Sequence, residues 1–502
     1  MNNHRSTGKK SFIQSPYIWS FTTYFAEGFP YTIIRQISSL FFRDMGARLE
    51  SIGLTSLYGL PWILKFLWGP HVDKFGTKRS WMLVVQFILV ILFFITAFFA
   101  PFAWGIRAIA ILFFISAFFA ATHDIAIDGY YMEALDTNGQ AKFVGYRVMA
   151  YRIAMITGTG VIATIGTVMN WPLAFIAGAV IFCLFFLYHY LFLPQVEKQT
   201  LPLSSFFRLF KKMTVLFWSF IIAGIIITIR LTYQSAFYTN LKEQFPVLKK
   251  ILFSHWIGIL LFLSLIIVFI LRKKIKSFIM NDPDSFYSKA FLTFIDRDEI
   301  GVIFTVIILL RTGEFMLTSM VAPFFVDLGI KVHYGWLASA VGLPFSIAGA
   351  MVGGWMISRL SLKKVIWPFL LLQNLTNIVY MILALFLNKF IILNTGADTV
   401  QPIGVLNLSL VAGVHAFDQF AGGLGTSVLM TFLMRICIKE YKAAHYAIGT
   451  GFMNISGVFA GVLGGFLCSW FGYGYFFGIS FILSLPGMIA VLYIPEYIYK
   501  KQ

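Results

Sequence analysis

Residues 41–46 read FFRDMG, and the tripeptide GLP follows at 59–61, after twelve intervening residues. Residues 324–329 read FFVDLG, and a second GLP follows at 342–344, after the same interval. An identical spacing of matching strings in two distant parts of one chain indicates an internal repeat. The sequence therefore predicts two related halves.

A second matching pair lies just downstream of the first. The string GPHVDKFGTKR begins at Gly69, and GWMISRLSLKK begins at Gly354, with basic residues in the same register. Many secondary transporters are built from repeated halves of membrane helices, with the substrate site between them near the middle of the membrane. The repeat therefore favours a transporter.

The composition is that of an integral membrane protein. Of 502 residues, 59% are hydrophobic and 12% are charged, and the mean hydropathy is +0.81. The run from Trp81 to Ala100 exceeds the roughly 18 apolar residues that span a bilayer. A net charge of +18 is also found in proteins that bind nucleic acids. Here the basic residues collect in alternate loops, as the positive-inside rule describes for the cytoplasmic loops of membrane proteins, so we attribute the charge to membrane topology.

Fourteen segments are long and apolar enough to span, so the sequence predicts an all-α integral membrane protein with about fourteen transmembrane helices. They lie at 16–42, 51–70, 80–100, 106–133, 143–167, 171–193, 213–238, 250–271, 299–326, 335–358, 365–387, 402–434, 442–470 and 473–494. Alternate loops carry most of the Lys and Arg residues, for example Lys9, Lys74, Arg208, Lys273 and Lys364. This asymmetry predicts that both termini are cytoplasmic.

The repeat also predicts the domain organisation. Residues 1–200 form an N-terminal six-helix bundle, and residues 297–502 form a C-terminal six-helix bundle. The segments at 213–238 and 250–271 have no counterpart in the repeat. We therefore expect residues 201–296 to be an inserted transmembrane helix pair followed by a cytoplasmic linker.

The string that begins at Gly69 matches the pattern joining helices two and three in the major facilitator superfamily. Its glycines allow a tight turn, and its basic residues favour the cytoplasmic membrane surface. The resemblance implies a conformational latch rather than a substrate site. The latch residues are Gly69, Asp73, Lys74, Gly76, Lys78 and Arg79.

Helix four carries acids inside an apolar segment. Residues 121–128 read ATHDIAID, so Asp124 and Asp128 share one helix face at i and i+4, with His123 beside them. Acids within a membrane segment usually face a cavity and mark an ion or substrate path. The alternative is that both pair with Arg147 and Arg152 for structure alone, and that His123 is a satisfied residue of the bundle.

Other charged residues in predicted helices extend the set. Further candidates for proton coupling or substrate contact are Glu27, Glu314, His415 and Asp418. Because a planar guanidinium suits bidentate carboxylate recognition, the candidates for binding a substrate anion are Arg35, Arg147, Arg152 and Arg311. Alternatively, Arg311 and Glu314 neutralise each other at i, i+3. Lys65 is expected to extend to the membrane interface.

Longer strings resemble a narrower group. They are SIGLTSLYGLPWILKFLWGPHVDKFG, ATHDIAID, SMVAPFFVDLG, HAFDQFAGGLGTSVLMTFLMRIC and AHYAIGTG. Together they resemble the AmpG-like permeases of the peptide/acetyl-CoA transporter family. The resemblance implies proton-driven import of the peptidoglycan products N-acetylglucosaminyl-anhydromuramic acid and its peptides across the bacterial inner membrane. In that case Tyr58, Tyr130 and Tyr131 are candidates to contact sugar hydroxyls.

Three alternatives remain open at this stage. The first is an importer of another solute such as a siderophore, since siderophore importers share much of the pattern. The second is a membrane enzyme, which would need a nucleophile or metal constellation such as HExxH, and none occurs in the sequence. The third is a non-transporting sensor. We expect no enzyme activity, cofactor, metal or nucleic-acid partner, and a monomer in the lipid bilayer that binds a small-molecule substrate and protons.

Overall fold

The computed structural model describes residues 12–65, 68–197, 202–203, 231–245, 286–395, 400–438, 440 and 442–499, with isolated positions between 256 and 277. The predicted inserted helices at 213–238 and 250–271, and the first part of the linker, therefore lie largely outside the described residues. The described residues divide into two compact units. The first comprises Met1–Ile37 and Leu64–Ile227, and the second comprises Ser38–Ile63 and Thr228–Gln502.

The described residues are overwhelmingly helical. Their α-helices, in chain order, are α1 (Pro16–Thr32), α2 (Ser38–Asp44), α3 (Leu49–Gly53), α4 (Leu60–Leu64), α5 (Gly69–Lys74), α6 (Lys78–Phe99), α7 (Gly105–Ala134), α8 (Thr137–Ile156), α9 (Trp171–Phe192), α10 (Ala236–Gln244), α11 (Phe286–Ile295), α12 (Ile300–Leu309), α13 (Thr312–Asp327), α14 (Tyr334–Trp336), α15 (Leu343–Leu360), α16 (Leu362–Phe386), α17 (Asn388–Asn394), α18 (Val405–Arg435), α19 (Lys442–Ala490, with a break at Gly472) and α20 (Glu496–Tyr499).

Several helices contain a change of pitch. A π-helical turn at Ile33–Ile37 joins α1 to α2, and a 3-10 turn at Leu54–Gly59 joins α3 to α4. The predicted segment 51–70 is therefore a series of short turns rather than one regular helix. Pro61 in α4 has no N–H to donate into the preceding turn, and its ring crowds the carbonyl four residues earlier, so a regular α-helix is interrupted there.

Eight helices in the described part of the chain are long and apolar enough to cross a membrane. They are Lys78–Phe99, Gly105–Ala134, Gly145–Met169, Trp171–Phe192, Ile300–Asp327, Lys331–Leu360, Leu362–Phe386 and Ile448–Tyr493. The prediction of an all-α membrane protein is confirmed. The number of fourteen spans and the cytoplasmic position of both termini stay predictions.

The second unit is held together by long helix pairs. Helix α15 packs along α18, and α13 packs along α19. Helix α3 also contacts α19 at a glycine crossing, where a Cβ on Gly53 would lie 2.9 Å from the Cα of Gly465. Small residues let helix backbones approach closely in membrane proteins. This crossing joins α3, from the first copy of the repeat, to a helix of the last third of the chain.

The two copies of the opening motif exchange ion pairs within this second unit. Asp44 and Asp327 occupy the same position in FFRDMG and FFVDLG. Nε and Nη2 of Arg43 donate to the two carboxylate oxygens of Asp327 at 2.6 and 2.7 Å. Nζ of Lys331 in turn lies 2.5 Å from Oδ1 of Asp44. Asp327 therefore meets Arg43 of the first string, and Asp44 meets Lys331, which lies two residues after the second string. Neither string predicts this arrangement alone.

Candidate functional site

The candidate site lies in the first unit, where α1 and α8 approach closely. A Cβ on Gly28 would lie 3.0 Å from the carbonyl oxygen of Tyr151. Just beyond α8, in the π-helical turn Thr157–Ile162, a Cβ on Gly158 would lie 2.5 Å from the side chain of Thr32. Only glycine fits so close an approach without displacing a neighbour. The contact brings the polar residues of α1 against the arginines and tyrosines of α8.

A cavity of about 390 Å³ borders these helices. This volume lies in the range of small-molecule sites. Its wall combines acids, arginines and tyrosines, which is an uncommon composition inside a membrane protein. The lining residues are Tyr24, Glu27, Tyr31, Gln36, Asp128, Arg147, Val148, Tyr151, Arg152 and Met155.

Asp128 and Arg147 meet through a tyrosine. The Tyr24 hydroxyl donates to Oδ1 of Asp128 at 2.8 Å and accepts from Nη1 of Arg147 at 2.8 Å. Nη1 of Arg147 lies 3.4 Å from Oδ1 of Asp128. The guanidinium also lies over the rings of Tyr24 and Tyr131, at 5.0 and 5.2 Å from their centroids. The guanidinium of Arg147 is thus occupied by contacts with Tyr24, Asp128 and Tyr131.

Asp124 has a different partner. Nζ of Lys65 contacts Oδ2 of Asp124, so the expectation that Lys65 extends to the membrane interface is wrong. Glu27 lies within interaction range of both residues. Within the described part of the chain, Oε2 of Glu27 is buried and has no hydrogen-bond partner. Two of the three carboxyl groups therefore have a cationic partner, and Glu27 keeps one oxygen unsatisfied.

His123 lies outside the cavity lining, in a buried polar chain. Nε2 of His123 is 2.9 Å from the amide nitrogen of Gln86, and Oε1 of Gln86 is 3.1 Å from Nδ1 of His189. Nε2 of His189 then reaches the hydroxyl of Thr22 at 3.0 Å. The chain links four helices of the first unit, which agrees with the alternative that His123 is satisfied within the bundle.

The candidates in the second unit form separate clusters. Arg311 lies at the break between α12 and α13, and its guanidinium contacts both carboxylate oxygens of Glu314. Gln373 also donates to Glu314. The i, i+3 pair therefore neutralises itself, as the alternative interpretation predicts, and a helix break places it at the N-terminus of α13.

His415 and Asp418 lie together on α18, both buried. Nδ1 of His415 is 3.0 Å from the hydroxyl of Tyr380. Oδ2 of Asp418 accepts from the amide of Gln419 at 3.1 Å. Both polar groups are hydrogen-bonded inside the second unit. Neither residue borders the cavity of the first unit.

The predicted latch forms a capped turn. Gly76 has φ +70°, which favours glycine, and Thr77 and Ser80 form a capping box at the start of α6. The N–H of Lys78 donates to the Glu197 carboxylate at 2.9 Å. Burial raises the pKa of Glu197, and the Lys78 N–H opposes that rise.

The other latch residues differ in their roles. Nε of Arg79 donates to the carbonyl of Leu193 at 2.9 Å, which fastens the turn to the end of α9. Gly69 begins α5 and Lys74 ends it, with an exposed side chain. The side chain of Asp73 lies outside the described residues. The turn therefore packs against the segment that follows α9.

Four other candidates do not line the cavity. Arg35 lies in the π-helical turn Ile33–Ile37. Tyr58 is buried in the second unit, and the Tyr130 hydroxyl donates to the carbonyl of Pro194 at 2.7 Å. Tyr131 packs against Arg147. The tyrosines of the cavity are Tyr24, Tyr31 and Tyr151 instead.

Sequence reasoning missed some residues of the site. Tyr24 precedes Glu27 by three residues and Tyr31 follows it by four, so the three share one helix face, and the charge at position 27 is a usable signal for that face. Gln86 is a single polar residue in an apolar helix and could have been noticed in the same way. In the described residues, His, Cys, Asp and Glu form no group of three or more that could hold a metal ion.

Comparisons with known proteins agree with this architecture. The chain is 23% identical to the anhydromuropeptide permease of Escherichia coli K12 over 478 residues, which cover 93% of this chain and 77% of that protein. It is 25% identical to an uncharacterised Haemophilus influenzae protein, covering 97% and 96% of the two chains. The predicted resemblance to AmpG-like permeases is confirmed, and the relatives of named function are transporters, not enzymes.

A solved structure shows the same fold. A peptide transporter POT in complex with sulfate superposes with a TM-score of 0.63 at 14% identity, covering 96% of each chain. The profile of the Major Facilitator Superfamily matches residues 20–281 and 303–501. The chain is therefore a multi-pass membrane transporter, and it belongs to the Major Facilitator Superfamily.

Proposed function

We propose that the protein imports peptidoglycan-derived muropeptides across the bacterial inner membrane together with protons. The cargo is N-acetylglucosaminyl-anhydromuramic acid and its peptide-bearing forms. The similarity to the anhydromuropeptide permease over 93% of this chain supports this cargo. The structural support is a cavity whose wall contains carboxyl groups, arginines and tyrosines. It lies in a chain similar to that permease.

The proposal keeps the predicted organisation of the whole chain. Fourteen transmembrane helices would place both termini in the cytoplasm. Residues 1–200 and 297–502 would be the two six-helix bundles, and residues 201–296 would hold the inserted pair and the linker. The protein would work as a monomer.

Glu27 is the carboxyl group that binds the transported proton. Asp124 contacts Lys65, and Asp128 contacts Arg147 and Tyr24. Oε2 of Glu27, by contrast, is buried and accepts no hydrogen bond within the described residues. Burying an ionised carboxylate without a matching partner is unfavourable. The protonated, neutral form of Glu27 is therefore the more stable form in this position.

Proton binding at Glu27 is coupled to the nearby ion pair between Lys65 and Asp124. Glu27 interacts with both Asp124 and Lys65. Departure of the proton would leave two carboxylates beside one ammonium group. Like charges at short distance repel, so we expect proton binding at Glu27 and the Lys65–Asp124 contact to change together.

The test is uptake of labelled N-acetylglucosaminyl-anhydromuramic acid into proteoliposomes, with and without an imposed inward proton gradient. We expect gradient-driven uptake by the unaltered protein. Glu27→Gln keeps the shape of the side chain but cannot exchange a proton, so it should lose gradient-driven uptake and retain exchange of labelled for unlabelled cargo. Glu496→Gln, a change at an exposed carboxylate, is the matched control.

The outcomes separate the parts of the proposal. Gradient-driven uptake that survives in Glu27→Gln would move the proton to Asp124 or Asp128, which Asp124→Asn and Asp128→Asn then test. Absence of any uptake by folded, unaltered protein would contradict the muropeptide assignment. The cargo would then be another envelope solute such as a siderophore.

A further inference from the structure

Two arginines of α8 line the same cavity, but only one is committed to the protein. Arg147 donates to the Tyr24 hydroxyl at 2.8 Å and lies 3.4 Å from Oδ1 of Asp128. Its guanidinium plane is also covered by the rings of Tyr24 and Tyr131. A ligand that approached Arg147 would have to displace these partners.

Arg152 makes fewer and weaker contacts with the protein than Arg147 does. Its hydrogen-bond contact in the described part of the chain is Nη1 to the sulfur of Met155, at 3.7 Å. A thioether is a weak acceptor, whereas an arginine carries five N–H donors and stays charged in proteins. No carboxylate among the described residues lies within ion-pair distance of Arg152: Asp124 contacts Lys65, and Asp128 contacts Arg147. The guanidinium therefore borders the cavity, and its one hydrogen bond in the described part of the chain goes to this weak acceptor.

The charges around the cavity reinforce this asymmetry. Arg147 is balanced by Asp128, and Lys65 is balanced by Asp124. A protonated Glu27 would add no charge. Arg152 then leaves the cavity with one positive charge in excess, in surroundings partly shielded from water, where an added anion would be favourable.

We propose that Arg152 binds a carboxylate of the transported solute, and that the protein therefore selects carboxylic acids over their neutral derivatives. A guanidinium donates two parallel hydrogen bonds to a carboxylate, which adds geometric selectivity to the charge. The tyrosines of the cavity, Tyr31 and Tyr151, and Gln36 supply polar groups suited to the hydroxyl and amide groups of an amino sugar. This inference rests on the proposed function and deepens it by naming the group that is recognised.

The experiment measures binding to purified protein in detergent. The probes are anhydro-N-acetylmuramic acid and its methyl ester, in which one added methyl group removes the charge of the carboxyl group, and N-acetylglucosaminyl-anhydromuramic acid with its methyl ester. The quantity of interest is the ratio of the ester Kd to the acid Kd. For the unaltered protein we expect the acid to bind at least about tenfold more tightly, the scale of one charged hydrogen-bonded contact.

The variants assign that preference to one side chain. Arg152→Gln should reduce the ratio to about one by weakening the acid alone. Arg152→Lys keeps the charge but cannot donate two parallel hydrogen bonds to a carboxylate, so we expect an intermediate ratio. Arg147→Lys should leave the ratio unchanged, whatever it does to both affinities. Arg107→Gln removes an exposed arginine of α7 and is the matched control.

The outcomes also separate this inference from the proposed function. A full acid preference in folded Arg152→Gln overturns the inference, as does unaltered protein that binds acid and ester equally or binds none of the four probes. Loss of the preference in Arg152→Gln supports it. Acid binding through Arg152 without gradient-driven muropeptide uptake would overturn the proposed function and leave the inference standing.

Discussion

Two arginine–aspartate pairs, one in each compact unit, use the same side chains in different settings. Arg43 and Asp327 make two parallel hydrogen bonds at 2.6 and 2.7 Å, and the Tyr473 hydroxyl donates to the same carboxylate at 2.7 Å. Their side chains are only 13% and 5% exposed. Arg147 reaches Asp128 with one nitrogen at 3.4 Å, and those side chains are 34% and 45% exposed.

The difference separates a closed pair from an open one. In the closed pair nearly every donor and acceptor has a partner, because Nη1 of Arg43 also donates to the carbonyl of Ala47 at 2.8 Å. In the open pair the aspartate borders a cavity and keeps room for another group. We infer that the first pair contributes mainly to stability, and that the second is arranged so that its contacts can change during transport.

The largest effect is expected from Asp327→Asn. Removing the carboxylate leaves the Arg43 guanidinium, whose side chain is only 13% exposed, without its counter-ion, and breaking a buried pair in this way costs about 3–5 kcal/mol. Denaturant unfolding in detergent measures the change. A loss below about 1 kcal/mol, the value for an exposed pair, would contradict the distinction between closed and open pairs.

A smaller effect is expected from Arg43→Lys. Lysine keeps the charge but cannot donate two parallel hydrogen bonds to Asp327. Losing one charged hydrogen bond costs about 1.5–3 kcal/mol. The same unfolding measurement should therefore place Arg43→Lys between the unaltered protein and Asp327→Asn. A loss as large as that of Asp327→Asn would mean that geometry, rather than charge, holds this pair.

The closed pair shows how far the sequence leads. The repeated strings FFRDMG and FFVDLG revealed two copies and aligned Asp44 with Asp327. They did not reveal that each aspartate pairs with the other copy, because Arg43 and Asp327 are 284 positions apart. Such a pairing depends on how α2 and α13 pack, and local sequence spacing carries no information about that contact.

The open pair shows the same limit at the candidate site. Acids in an apolar segment single out α7 as a candidate, and of these acids the cavity wall contains Asp128. The partner of Asp124 was not foreseen, because Lys65 lies at the end of a series of short turns whose rotation a regular-helix pattern does not give. Adjacency in sequence groups His123 with the acids, but successive residues of an α-helix point about 100° apart, and His123 lies within hydrogen-bond distance of Gln86 instead.

A third prediction tests the open pair directly. Asp128→Asn should cost no more than about 1 kcal/mol of unfolding free energy, because the pair is partly exposed and an amide oxygen can still accept from Tyr24. Gradient-driven uptake in proteoliposomes should nevertheless fall, since Arg147 would lose its counter-charge beside the cavity. A stability loss equal to that of Asp327→Asn, with uptake unchanged, would reverse the roles that we assign to the two pairs.

The smallest change in unfolding free energy is expected at an ion pair on the surface, which serves as the reference for the two pairs above. Lys363 contacts Glu496, and the two side chains are 56% and 71% exposed. Lys363→Gln should change the unfolding free energy by about 0–1 kcal/mol, and 1 M salt should erase the difference, because exposed charges are screened over about 3 Å there. The effect of Asp327→Asn should persist in the same salt, since a buried pair is screened far less. If salt removed both effects, the Arg43–Asp327 pair would be accessible to ions, and its description as closed would be wrong.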